Sequence, residues 1–132
     1  ALRCAGIRSC DIRRGVILSF GTNAGIEEAD LRKVLDRLGP KRMVVLMNVH
    51  LNMARAKTDN ATLLRVAKDY GNVIVADWNA TVVADPKLLQ PDGIHPSMTG
   101  QHAYAAIARQ AFADLSFAHT GKVVTLKKLP IP

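Results

Sequence analysis

Aromatic residues are scarce, at 5% of the 132 residues, so a core must be built mainly from Val, Leu, Ile, Ala and Met. No apolar run approaches the roughly 20 residues that span a bilayer, and residues 1–15 hold no apolar block of the signal-peptide kind. The opening at Ala1 suits a fragment or a trimmed chain. Cysteine is limited to Cys4 and Cys10. Their spacing is not a zinc pattern and no His pair accompanies it, so no metal is expected. A small disulfide loop in an oxidising compartment and two free thiols remain equal readings. A glycine-rich phosphate loop is missing as well. Gly21-Thr22-Asn23-Ala24-Gly25 has two Gly but no Lys, and Glu27 and Glu28 follow after Ile26. No organic cofactor is expected.

Acidic residues are outnumbered, 11 against 18 Lys and Arg, for a net charge of +7. A basic balance suits a nucleic acid, an anionic polymer or an anionic membrane surface. Here the charge is dispersed. Arg3, Arg8, Arg13 and Arg14 lie at one end, and Lys122, Lys127 and Lys128 at the other. No aromatic and basic residues interleave in the way that stacks bases, so nucleic acid is not an expected partner. The length allows one domain with a sizeable core and is too short for two.

Three apolar runs, Val16 to Phe20, Met43 to Met47 and Val73 to Ala76, lack polar alternation and read as strands covered on both faces. Helical spacing lies between them. Ile26, Leu31, Val34, Leu35 and Leu38 form one set, ended by Gly39-Pro40. Asp59 to Tyr70 forms a second, and a third helix begins near Ser97 to Thr99 and runs to about Leu115. Asn48 to Thr58 and Asn79 to Pro96 read as loops, the latter with a short helical turn. Val123 to Leu126 reads as a short edge strand in a tail over 116–132. Strands alternating with helices predict an α/β fold with a parallel sheet. In such sheets sites form at the carboxyl ends of the strands, where Gly21-Thr22-Asn23 and both long loops converge.

Asp92 and His95 carry the strongest chemical signal. They sit three apart on a loop bounded by Pro91 and Pro96. An Asp that accepts from one imidazole nitrogen fixes the tautomer and leaves the other nitrogen free as a base. A helix N-cap region with an incidental His is the competing reading. Gly21-Thr22-Asn23, directly after a strand, offers close backbone approach and an Asn amide that can donate to an oxyanion. A plain turn is the simpler reading. Trp78, after the strand ending at Asp77, is either a pocket wall or a core residue. His50, at a strand end, lines a pocket or is structural. Asn60 caps a helix or binds substrate. His102 reads as a helix-face residue, and His119 has no evident partner.

In this order the segments resemble the SGNH (GDSL-like) hydrolase superfamily, whose blocks end in Gly-x-Asn and then Asp-x-x-His. Gly21-Thr22-Asn23 and Asp92-Gly93-Ile94-His95 match the third and last blocks. The run from Val73 to Trp78, and that from Asp92 to Tyr104, look like one subgroup. That subgroup is the extracytoplasmic SGNH domain fused to integral-membrane acyltransferases that O-acetylate cell-wall or surface glycans. The resemblance covers about Val16 to Phe112. It implies a three-layer flavodoxin-like parallel sheet flanked by helices. His95 would be the general base, Asp92 its orienting partner and Asn23 an oxyanion donor. Apart from the resemblance, Gly21, Thr22, Trp78, His50 and Asn60 are candidates for substrate binding from their positions at strand and loop ends. The implied substrate is an acylated glycan or ester, the implied partner an upstream membrane domain, and the implied location extracytoplasmic.

The family's first block, with its nucleophilic serine after a strand, is missing. Ser9 has no apolar strand before it, Ser19 lies inside the first strand and is expected to be buried, and Ser97 follows His95 too closely to face it. Gly6 is a candidate for the second block. One explanation is a truncated domain, the C-terminal portion of a larger one, lacking its first strand and inactive alone. The other is a complete scaffold that has lost its serine and only binds. A flavodoxin-like regulatory domain is a further alternative.

Overall fold

The computed structural model describes residues 14–127. Cys4, Cys10, Ser9 and Gly6 lie outside the described residues. Three strands, β1 (Gly15–Ser19), β2 (Met43–Met47) and β3 (Val73–Ala76), form one parallel sheet in the order β1-β2-β3. Helices α1 (Glu28–Leu38) and α2 (Ala54–Ala67) occupy the two crossovers. After β3 come α3 (Trp78–Ala84), a 3-10 turn (Pro86–Leu88) and the long α4 (Met98–Thr120).

Alternation along β2 explains the three layers. Successive side chains of a strand point to opposite faces. Val44 and Leu46 enter a cluster with Leu31, Leu35 and Leu38 of α1 and Leu63 and Val66 of α2. Val45 and Met47 enter a second cluster with Trp78 and Val82 of α3 and Ala108 and Ala111 of α4. Each Val, Leu or Met side chain buried this way contributes about 1.5–3 kcal/mol. The expected α/β architecture, a parallel sheet flanked by helices, is the observed one. Small residues let α4 lie close to the sheet, and a Cβ added at Gly15 of β1 would stand 3.3 Å from the Phe112 ring.

Several boundaries differ from the expectation. Helix α2 begins at Ala54, not Asp59. Residues 54–58 are mostly good helix formers without apolar periodicity, and Ala56 alone among them is buried. Helix α4 continues to Thr120, into the segment expected to be tail, and ends on Gly121 at φ 66°. Val123 to Leu126 is not a strand. That segment lies along α4, where Arg109 donates to the Lys127 carbonyl at 2.7 Å.

Coverage on both faces fits β2 and not β1. Leu18 is the buried residue of β1, and Ile17 is 50% exposed. The reason is position: β1 pairs with β2 on one side, and no described strand lies on the other.

Candidate active site

All three strands end on the same side of the sheet. The segments that follow them, with the loop before α4, enclose a cavity of about 370 Å³. Thr22 and Asn23 line it from the loop after β1, Asn48 and His50 from the loop after β2, Trp78 from the start of α3, and His95 from the loop before α4.

The His95 loop holds itself. One carboxylate oxygen of Asp92 accepts the backbone N–H groups of Ile94 and His95 at 2.9 and 3.0 Å. The other accepts from His95 Nδ1 at 2.6 Å. Gly93 supplies the positive φ of 69° that this turn needs. Gln90 and His95 close the loop base, N–H to carbonyl at 2.7 Å, and Ser97 N–H reaches the Leu88 carbonyl. The His95 hydrogen bond, followed by the two backbone N–H groups, lowers the Asp92 carboxyl to a pKa of about 2. Asp92 therefore remains a carboxylate across the working range, and it holds the proton of His95 on Nδ1. Among the described residues nothing bonds His95 Nε2, on a side chain 70% exposed that lines the cavity.

The Asn23 loop is held from outside. Arg55 of α2 donates to the carbonyls of Gly21 and Thr22 at 2.6 and 2.8 Å. It also pairs with Asp59, 3.2 Å away, one turn on. Asp59, buried to 4% exposure, uses its other oxygen to accept from Ile26 N–H at 2.9 Å. One ion pair thus grips both ends of the loop carrying Asn23. Gly21 is buried at φ 102°, and a Cβ there would lie 2.6 Å from Val49. It stands behind the cavity wall and does not line it; its role is backbone shape.

A third group reaches the cavity from β2 and β3. The Asn48 amide donates to Asp77 at 2.7 Å, and its oxygen accepts from Asn79 N–H at 2.8 Å. The Asn79 side-chain oxygen in turn meets His50 Nδ1 at 2.9 Å. Trp78 is buried at 5% exposure and meets Tyr104 edge to face, ring centroids 5.0 Å apart. It is a core residue and a cavity wall at once.

Asn60 neither opens a helix nor faces the cavity. It sits inside α2, and its amide accepts from Val49 N–H at 2.7 Å and donates to Val49 carbonyl at 2.8 Å. Ser19 is exposed, not buried. Its hydroxyl lies 2.7 Å from that of Tyr104, and both residues line the cavity. Desolvation raises the Tyr104 pKa. Ser97 is spent as the cap of α4, accepting from Gly100 N–H. His119 bonds the Gly71 carbonyl through Nε2, far from the cavity, and His102 does not line it. Sequence reasoning missed Arg55, Asp59, Asn79 and Tyr104. The i,i+4 spacing of Arg55 and Asp59 is compatible with a helical ion pair, but it carries no sign of the Gly21–Ile26 loop that the pair holds. Among the described residues no group of three His, Cys, Asp or Glu is arranged to hold a metal.

No family model matches the chain. Its sequence is related to a region of peptidoglycan O-acetyltransferases. The peptidoglycan O-acetyltransferase OatA of Listeria monocytogenes is 30% identical over 92 residues, 70% of this chain. The putative peptidoglycan O-acetyltransferase YrhL of Bacillus subtilis is 26% identical over 98 residues, 74% of this chain. The chain spans 14% and 15% of the length of these relatives. The expected kinship with O-acetylating acyltransferases is met at that level. Among the described residues no helix is long and apolar enough to cross a membrane.

Proposed function

We propose that this chain is the acid-base portion of an SGNH-type O-acyltransferase or esterase site acting on an acylated glycan, within a longer extracytoplasmic polypeptide. The observation that carries the reading is the Asp92–His95 pair, Nδ1 bound and Nε2 without a partner among the described residues, on a cavity shared with Asn23. His95 Nε2 takes the proton of a serine hydroxyl as its oxygen attacks the ester carbonyl. The carbonyl oxygen becomes an oxyanion facing the Asn23 amide, and the imidazolium is stabilised by Asp92. Collapse expels the alcohol, which takes the proton back from His95. Water or a sugar hydroxyl then repeats the sequence on the serine ester.

The nucleophile in this reading is a serine outside this chain. Ser97 is occupied as a cap, and Ser19 is engaged with Tyr104. The outer edge of β1, with Ile17 exposed, offers a place for one more parallel strand. A strand there would end beside Ser19 at the cavity rim.

The test is hydrolysis of p-nitrophenyl acetate by this chain, by the longer polypeptide that the reading requires, and by His95→Ala in each. The chain alone should be inactive. The longer polypeptide should turn over and lose about a thousandfold or more with His95→Ala. Turnover by the chain alone that vanishes in Ser9→Ala or Ser19→Ala would put the nucleophile within this chain and overturn the reading of an external serine. Turnover of the longer polypeptide indifferent to His95 would overturn the assigned base.

A further inference from the structure

The cavity holds a second imidazole. His50 and His95 both line it, and in both rings Nδ1 is tied to a side-chain oxygen. The partners differ in kind. His95 faces a carboxylate, which fixes the tautomer and also stabilises a positive ring. His50 faces the amide oxygen of Asn79, which fixes the tautomer and adds no charge. An amide oxygen only accepts, so His50 Nδ1 donates, and Nε2, which has no partner among the described residues, is left as an acceptor. The Asn79 backbone is fixed, because its main-chain N–H donates to the Asn48 side-chain oxygen and the Asn48 amide donates to Asp77. An acceptor held this firmly at a cavity wall matches a ligand hydroxyl.

The rest of the lining narrows the ligand. None of the described residues that line the cavity is Lys, Arg, Asp or Glu, on a chain of net charge +7. Phe20, 42% exposed, and Tyr104 add aromatic surface beside the polar groups. Aromatic walls with a few fixed hydrogen-bonding groups suit an uncharged ligand that has an apolar face and hydroxyls, which describes a sugar ring.

We propose that His50 is a hydroxyl-binding residue whose Nε2 accepts a hydrogen bond from a hydroxyl of an uncharged sugar in this cavity, with Asn79 and Asn48 as its positioning residues. The inference rests on the acyl-transfer reading for the role of the cavity. Its test is separate.

The probe is the β-1,4-linked tetramer of N-acetylglucosamine, added to the full chain with ¹⁵N-labelled histidine. The imidazole resonances should show His50 as the Nδ1–H tautomer, and its Nε2 signal should move as sugar is added. Loss of one hydrogen bond should weaken binding about five- to tenfold in His50→Ala. His50→Gln, which can place an amide oxygen near the position of Nε2, should stay within about threefold of the parent. Any of three results would overturn the inference: an Nε2–H tautomer for His50, equal binding by parent and His50→Ala, or no binding by the parent. Ester hydrolysis by the longer polypeptide needs no sugar. Its persistence without sugar binding would sink this inference alone, whereas its indifference to His95 would sink the acyl-transfer reading alone.

Discussion

Two of the loops that line the cavity are held by opposite means. The loop from Pro91 to Pro96 is stabilised by its own residues, with Asp92 accepting three hydrogen bonds from positions 94 and 95. The loop from Gly21 to Ile26 depends on Arg55 and Asp59, more than thirty positions later for its Gly21 and Ile26 contacts. The first is exposed and the second rests on a buried carboxylate. A self-held loop transmits little to the rest of the fold when it is changed. A loop gripped by a helix ties its geometry to the stability of the whole domain.

The largest expected effect is on the gripped loop. Asp59→Ala removes the acceptor of Ile26 N–H and the partner of Arg55 in one step. Urea denaturation should show a loss of about 2–4 kcal/mol, the cost of breaking a mostly buried pair. A loss below about 0.5 kcal/mol, the range of ordinary surface changes, would erase the contrast between the loops. Next comes Gly21→Ala. It combines a left-handed backbone with a Cβ 2.6 Å from Val49, and should cost about 1–3 kcal/mol. In a double-mutant cycle, Val49→Ala should recover part of that cost, while additive losses would place the strain in the backbone alone.

The smallest effect on stability belongs to Asp92. Its carboxyl is lowered from 3.8 to about 2 in the fold. A depressed carboxyl stabilises the fold above its unfolded pKa, and that contribution fades as acid protonates it. The contribution is complete above about pH 4 and gone below about pH 2. Solvent screens a pair this exposed, so the melting temperature should hardly register the change. The carboxyl carbon of Asp92, followed by NMR, should titrate near 2. A midpoint near 4 would show that the pair does not persist in solution.

The same contrast explains what was legible in the sequence. Asp92 and His95 could be paired from the text because three positions and two flanking prolines contain the whole device. The three strands were legible because their apolar runs are short and sharply bounded, although β1 is one-sided for lack of a described neighbour. The Arg55–Asp59 grip was not legible, since its targets are backbone carbonyls and an N–H in a distant loop, and backbone atoms leave no mark in a sequence. Asn60 looked like a cap for the same reason. Its real partner is the main chain of Val49. Strand membership suggests burial for Ser19, but as the last residue of β1, which has a described neighbour on one side only, it opens onto the cavity.

A cavity lined, among the described residues, by no Lys, Arg, Asp or Glu separates arrival from grip on a chain of net charge +7. The excess of Lys and Arg draws the chain toward any polyanion, and at ~0.15 M salt that pull extends about 8 Å. Retention on an anionic matrix at low ionic strength will therefore report the outer surface and say nothing about what the cavity selects. Added salt should release the chain from such a matrix while leaving the occupancy of the cavity by a neutral sugar where it was.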